Sequence, residues 1–174
     1  MIKGFKIFNE DLTNRYGMKF EVDKTYVTTG QIKWGNNGNG FHMCTHLEDT
    51  FRYFDAINEK CQIAEVLGFN NNIIYNDEYY GYFDMYVVES LKIQHILSRE
   101  EIVNYLYNLI KNSNVNYDKV NRFICGYKLT EEEIIKIINI LALKDHSHLN
   151  NYLYSIENFQ KYTIYQKQYI KYNH

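Results

Sequence analysis

Three residues of metal-ligating type, His42, Cys44 and His46, recur at every second position. Alternate side chains of an extended strand share a face, so two imidazoles and a thiol would point the same way, a donor set of the kind that holds zinc. Direct ligation at i, i+2 and i+4 along one strand is uncommon, His46 falls in the turn before an expected helix, and no fourth ligand is identifiable. The favoured reading is structural, with no metal: Cys44 as a small buried hydrophobe, His42 hydrogen-bonded beside the adjoining loop, and His46 facing solvent.

The adjoining loop is Gly35-Asn36-Asn37-Gly38-Asn39-Gly40. Gly and Asn tolerate positive φ, so this segment can fold tightly or lie against a ligand. No Gly-Lys-Ser/Thr follows, which excludes a phosphate-cradling Walker loop. It is the best pocket wall in the chain. Trp34, Asn39 and Phe41 around it, with Tyr79 and Tyr80 in the polar, aromatic stretch from Asn70 to Gly81, are the candidate binding residues, since aromatic side chains concentrate at interface hot spots.

The elements that must position these residues follow from periodicity. Gly4–Phe8 alternates and reads as a first strand. Met18–Val22 alternates most cleanly, with Met18, Phe20 and Val22 on one face, and is the firmest strand expected in the first half. Thr25–Thr28 follows, and Gln31–Trp34 extends the same pattern. Phe41–Thr45 is a short strand. Leu47–Asp55 has the spacing of an amphipathic helix, with Glu48 and Asp49 suited to its N-terminus and Thr45 as its cap. Cys61–Gly68 is a strand closed by glycine, and Tyr82–Ile96 is one long strand with a bulge at Glu89-Ser90, where the alternation shifts by one residue.

At Ser98 the period changes from two to 3.6. Ser98 with Glu101, and Thr130 with Glu133, have the spacing of capping boxes, each ahead of an apolar helical run. A third helix is expected over Leu149–Tyr169. The fold class is α+β: a twisted, mainly antiparallel sheet with one short helix, followed by a C-terminal segment of about three helices. Residues 1–97 form the β-rich domain and 98–174 the helical segment.

Composition limits the function. The 174 residues carry 19 Lys and Arg against 21 Asp and Glu, a net charge of −2 that lacks the basic footprint of a general duplex binder. Eighteen Tyr bring the aromatic fraction to 17%, which suits protein contact and also follows from an AT-rich coding sequence. Three cysteines at irregular spacing argue against a disulfide framework. With no apolar leader and no run long enough to span a bilayer, a cytoplasmic protein without a membrane partner is expected.

Two resemblances add to this. Gly38-x-Gly40-Phe41-His42-x-Cys44-Thr45 before an amphipathic helix resembles the central motif of ADP-ribosyltransferase-type domains. That similarity implies Phe41 and His42 as an aromatic pair against nicotinamide and Thr45 at the hydroxyl position. It also implies Lys3 at the first-strand basic position, Glu89 as the late-strand glutamate, and NAD as cofactor. Lys3, His42 and Glu89 are thus the candidate catalytic set. His42 stands where a Tyr is usual and Lys3 where Arg or His is usual.

A resemblance over residues 2–98 is carried by Lys3-Gly4-Phe5-Lys6-x-Phe8-Asn9-x-Asp11-Leu12-Thr13, Arg15, Met18–Tyr26, Gly40-Phe41-His42-x-Cys44 and Tyr53. This pattern is similar to that of an uncharacterised family of small phage and giant-virus proteins. It implies a mobile-element origin; with the tyrosine-rich composition and the absence of a complete catalytic set, the expectation is a virus- or phage-encoded, non-enzymatic interaction protein in the host cytoplasm, without a cofactor. The implied partner is a host protein or ribonucleoprotein, for instance a defence nuclease that the protein inhibits. The alternative is an ADP-ribosyltransferase-like enzyme or its degenerate, NAD-binding descendant.

Overall fold

The computed structural model describes residues 1–35, 38–57, 59–76, 84–111, 116–144 and 148–160. The described residues fall in two compact units, Met1–Phe54 with Glu59–Ser98, and Asp55–Asn58 with Arg99–His174. The first is built on five strands: β1 Ile2–Asn9, β2 Thr25–Val27, β3 Phe41–Cys44, β4 Cys61–Asn76 and β5 Asp84–Ile96, with a 3-10 helix over Leu47–Arg52. The second holds α1 Arg99–Lys111, α2 Tyr117–Gly126, α3 Glu131–Lys144 and α4 Leu149–Gln160. Among the described residues no helix is long and apolar enough to cross a membrane.

The strands close into a small antiparallel barrel. β4 pairs with β5 and, through its other edge, with β1; β3 bridges β5 and β1; and β2 is added to β5. The β1–β4 ladder is unbroken from Ile2↔Gly68 to Asn9↔Cys61. The β1–β3 contact is a single register pair, Phe5↔Cys44. Gly4 permits that approach, because a Cβ there would collide with the carbonyl oxygen of Cys44 and lie 2.7 Å from the Met43 methyl. Phe8, Phe41, Met43, Val66, Val88, Leu91 and Ile93 form the core between the strands.

The expected strand over Met18–Val22 is not one. Its residues make only isolated bridges, Thr13↔Lys19 and Val22↔Ile93. Phe20 instead drops into the core, its ring centroid 5.1 Å from Phe8, 4.7 Å from Tyr26 and 6.2 Å from Phe41, while Met18 and Val22 stay exposed. The alternation was genuine, but burying one large ring outweighed laying the whole segment into a ladder. Gln31–Trp34 likewise contributes no strand.

β4 runs eight residues beyond the expected Gly68 end. Between Phe69↔Ser90 and Asn72↔Val88 it advances by three residues while β5 advances by two, so the extra residue of the bulge sits on β4, opposite Glu89. Asn70 supplies the left-handed backbone, with φ 64°, and its amide donates to Ser90 Oγ at 2.9 Å. The alternation shift on β5 coincides with a change of partner, from β3 up to Val88 to β2 from Ser90.

In the helical unit, α1 buries Ile102, Leu106 and Ile110, and α3 buries Ile134, Ile137 and Leu141. At α3 the Thr130 amide donates to Glu133 at 2.7 Å and the Glu133 amide to Thr130 Oγ1 at 3.3 Å, the reciprocal capping box expected there. α2, which the sequence cues left unmarked, starts from Asn116, whose side chain accepts from the Lys119 amide at 3.1 Å. α4 is described to Gln160, so the remainder of the expected Leu149–Tyr169 helix lies outside the described residues.

Candidate functional site

The site begins where the barrel wall stops pairing. Past Phe5↔Cys44 the β1 and β3 ladders part, and a cavity of about 640 Å³ opens between them. Lys6 to Asn9 of β1 line one side and Phe41 to Cys44 of β3 the other. The turn carrying Arg15 and Tyr16, Thr28 and Thr29 just past β2, Trp34, Gly35 and Gly38 to Gly40, and Tyr53 and Phe54 after the 3-10 helix complete the lining. The volume is in the range of small-molecule sites.

Lys6 crosses the gap. Its ammonium donates to the His42 carbonyl oxygen at 2.7 Å, so a side chain supplies across the splayed strands the kind of bond a ladder would have made. The same ammonium lies 5.7 Å from the Phe8 ring centroid. Burial pulls the Lys6 pKa from 10.5 to about 8, opposed in part by Cys44, with the Arg15 charge adding a smaller pull in the same direction as burial. Burial, then Lys6, then Arg15 lower His42 to about 4, leaving its imidazole neutral at pH 7. Two cationic side chains and an imidazole therefore sense one another, and among the described lining residues none is Asp or Glu.

Arg15 is held on a built turn. Asn14 Oδ1 accepts from the Tyr16 and Met18 amides at 2.9 and 3.0 Å, and the Arg15 guanidinium packs over the Tyr16 ring at 4.8 Å while donating to its hydroxyl at 2.5 Å. The opposite wall is fixed by Asn39. Its amide nitrogen donates to the carbonyls of Thr29 at 2.7 Å and Gln31 at 3.2 Å, and its side-chain oxygen accepts from the Thr28 hydroxyl at 2.5 Å. Gly40 must be glycine: its φ is +115°, and a Cβ would sit 2.6 Å from the Val87 side chain. Trp34 stands edge-on to His42, with centroids 5.2 Å apart.

A family model described as "Domain of unknown function (DUF7666)" matches residues 2–98, more than half of the chain. The chain belongs to this family. Neither the curated proteins nor the solved structures contain a match. The family domain spans the barrel unit's strands and the whole cavity lining, whereas the helices from Arg99 onward lie outside it.

Within the family domain, the candidate residues separate. Trp34, Asn39, Phe41 and His42 all line the cavity. Phe41 is at the same time part of the barrel core. Lys3 and Glu89 are absent from the lining: Lys3 forms a 3.1 Å ion pair with Glu65, and Glu89 accepts from Asn71 at 2.7 Å beside the bulge. The structure thus does not bring Lys3, His42 and Glu89 together. Tyr79 and Tyr80 lie outside the described residues.

The zinc alternative has no geometric counterpart among the described residues, where no three His, Cys, Asp or Glu side chains are placed to hold a metal ion. Cys44 is buried, and burial followed by the nearby Asp49 pushes its thiol up to about 12. His46, rather than Thr45, occupies the N-cap of the 3-10 helix, with extended backbone and no side-chain cap bond. Lys6 and Arg15 are the site residues that sequence reasoning passed over. The available signal was Lys6 itself, a charge set between Phe5 and Ile7 in the alternating Gly4–Phe8 run.

Proposed function

We propose that the barrel is a non-enzymatic binding domain whose cavity captures an anionic group of its ligand, with a flat ring of that ligand resting near Trp34 and His42. The observation that carries this reading is the lining: Lys6 and Arg15 border one cavity, and no described lining residue is acidic, in a chain whose net charge is −2. A cationic, low-dielectric pocket in an acidic protein concentrates field on an anion. Charge-assisted hydrogen bonds from a guanidinium and an ammonium are the strong kind.

Nucleotide-like ligands fit this chemistry, and a dinucleotide such as NAD is one of them. The separation of Lys3 and Glu89 from His42 supports binding over transfer, because glycosidic chemistry on NAD needs a carboxylate beside the developing cation. In the setting that the residue 2–98 resemblance implies, the domain would be phage- or virus-encoded. It would meet a host protein or ribonucleoprotein, a defence nuclease included, through an anionic group seated in this cavity.

The test is calorimetric titration of the protein with adenosine diphosphate and with adenosine. The reading expects heat with the diphosphate, much weaker binding of the nucleoside, and loss of the difference in Arg15→Ala. Equal binding of the two, or transfer of label from labelled NAD to lysate proteins, would overturn it.

A further inference from the structure

We infer that Lys6 is a carbonyl-capturing lysine: the cavity admits an aldehyde that carries an anionic group and holds it as a reversible imine on Lys6 Nζ. This rests on the anionic-capture reading of the same cavity and adds a covalent step to it.

The geometry supplies what such a step needs. Lys6 lines a cavity large enough for a ring-bearing ligand, and its Nζ is anchored at 2.7 Å on the His42 carbonyl, so the amine is fixed in position. Among the described residues no carboxylate ion-pairs with it, and the charge that bears on it at neutral pH is that of Arg15, since the Cys44 thiol stays protonated. A lysine that is desolvated and beside another cation is the arrangement that leaves an amine free to attack at neutral pH. With its pKa near 8, a substantial fraction of Lys6 is unprotonated at pH 7.5. The rival nucleophile, Cys44, is 3% exposed and its thiol is held at about 12.

The step balances without an oxidant or reductant. The Nζ lone pair attacks the aldehyde carbon and a proton passes from nitrogen to the carbonyl oxygen to give the carbinolamine; its hydroxyl then takes a proton from solvent and leaves as water while the nitrogen lone pair forms the C=N bond of the protonated imine. The protonated imine keeps one N–H, which the His42 carbonyl can continue to accept. Arg15 would hold the ligand's anionic group, and the neutral imidazole of His42 adds no competing positive charge. Water hydrolyses the imine, so capture is covalent but reversible.

The probe is pyridoxal 5′-phosphate, which joins an aldehyde, a phosphate and an aromatic ring. The full chain is incubated with it at pH 7.5, reduced with borohydride and mapped by peptide mass spectrometry. Because burial brings the Lys6 pKa to about 8, a much larger share of its amine is neutral at pH 7.5, and Lys6 should label at least about tenfold faster than exposed Lys3, Lys19 and Lys24. Lys6→Arg should lose this adduct with an unchanged circular dichroism spectrum, and pyridoxal without phosphate should react more slowly. Even labelling of Lys3, Lys19 and Lys24 with no preference for Lys6 overturns the inference. If phosphate nevertheless still binds, the capture reading stands without the chemistry. A Lys6 adduct that inorganic phosphate does not slow upholds the chemistry and overturns the anionic reading.

Discussion

The Lys6 ammonium bonds to the His42 carbonyl oxygen at 2.7 Å across strands that no longer pair, linking residues 36 positions apart. A single side chain thus spans the gap in the barrel wall and places a positive charge at the cavity. The same contact decides how the fold responds to pH and to substitution.

Replacing Lys6 by Met is expected to stabilise the barrel while removing anion capture. The folded-state pKa, about 8, lies below the 10.5 of the free side chain. Below pH 8 both states hold the proton and the folded state bears the full cost of the enclosed charge. Between about 8 and 10.5 the unfolded chain binds a proton that the folded chain has shed, so this contribution to stability rises with pH. The shift corresponds to roughly 1–3 kcal/mol once discounted for a side chain still partly open to water. Urea unfolding of wild type and Lys6→Met at pH 7 and pH 10 should show the variant ahead at pH 7 and the gap narrowing at pH 10. A variant less stable at pH 7 would mean that the bond to His42 outweighs the desolvation.

His42 gives the opposite limb. Its folded value of about 4 is below the ordinary 6.5, so above pH 6.5 both states are neutral and nothing is contributed. As the pH falls from 6.5 towards 4 the unfolded chain takes up a proton that the folded chain refuses, and stability drops by roughly 1–3 kcal/mol. His42→Gln cannot take up that proton in either state. Its unfolding free energy should therefore fall less than that of wild type between pH 7 and pH 4.5. The carboxylates are common to both proteins and cancel in the difference, so parallel curves would contradict the argument.

Glycine substitutions should separate two reasons for needing glycine. Gly4→Ala drives a methyl into the Cys44 carbonyl and the Met43 side chain, next to the Phe5↔Cys44 register pair that joins β1 to β3. Overpacking of this kind costs about 1–3 kcal/mol, and more where backbone must move. Gly17→Ala meets no atom within 4 Å and is strained only by its φ of +80°, a cost of about 1–2 kcal/mol. Thermal unfolding should rank Gly4→Ala as the more damaging, and only Gly4→Ala should also disturb the cavity, read as weaker diphosphate binding.

These contacts show what the sequence could and could not carry. The antiparallel α+β plan was legible because alternation and capping boxes are local signals: β1, β3 and β5 lie where period two placed them, and Thr130 with Glu133 caps α3 as its spacing implied. The plug formed by Phe20 was not legible, since alternation records which faces differ and not whether a ladder partner exists. Nor was the cavity. His42, Trp34 and Asn39 could be picked out beside a glycine-rich loop, but Lys6 and Arg15 become site residues only when β1 and β3 close the barrel incompletely, a tertiary fact with no local signature. Lys3 and Glu89, chosen through a family pattern, lie instead in an ion pair with Glu65 and a hydrogen bond to Asn71.

In the helical unit, Arg99, Thr130 and Glu133 should behave as one coupled group. The Arg99 guanidinium donates twice to the Glu133 carboxylate, at 3.0 and 2.6 Å, and once to the Lys128 carbonyl at 3.0 Å. Burial pushes Glu133 up, but the bonds from Arg99 and from the Thr130 amide outweigh it and hold the carboxyl below its usual range. Thr130→Ala removes the cap hydroxyl and should cost about 1 kcal/mol. Glu133→Gln removes the charge that both Arg99 and the Thr130 amide use, and should cost roughly 1–2 kcal/mol. Because Thr130 and Glu133 bond reciprocally, the double variant should lose less than the two single losses combined, by about 0.5 kcal/mol or more. A carboxylate with a depressed folded value stabilises above its ordinary pKa and loses that contribution as the pH falls through the folded one. The gap between wild type and Glu133→Gln in the far-ultraviolet circular dichroism unfolding of the full chain should therefore close on acidification below about pH 4.5. Strict additivity, or a gap independent of pH, would show that the three residues are neighbours without being coupled.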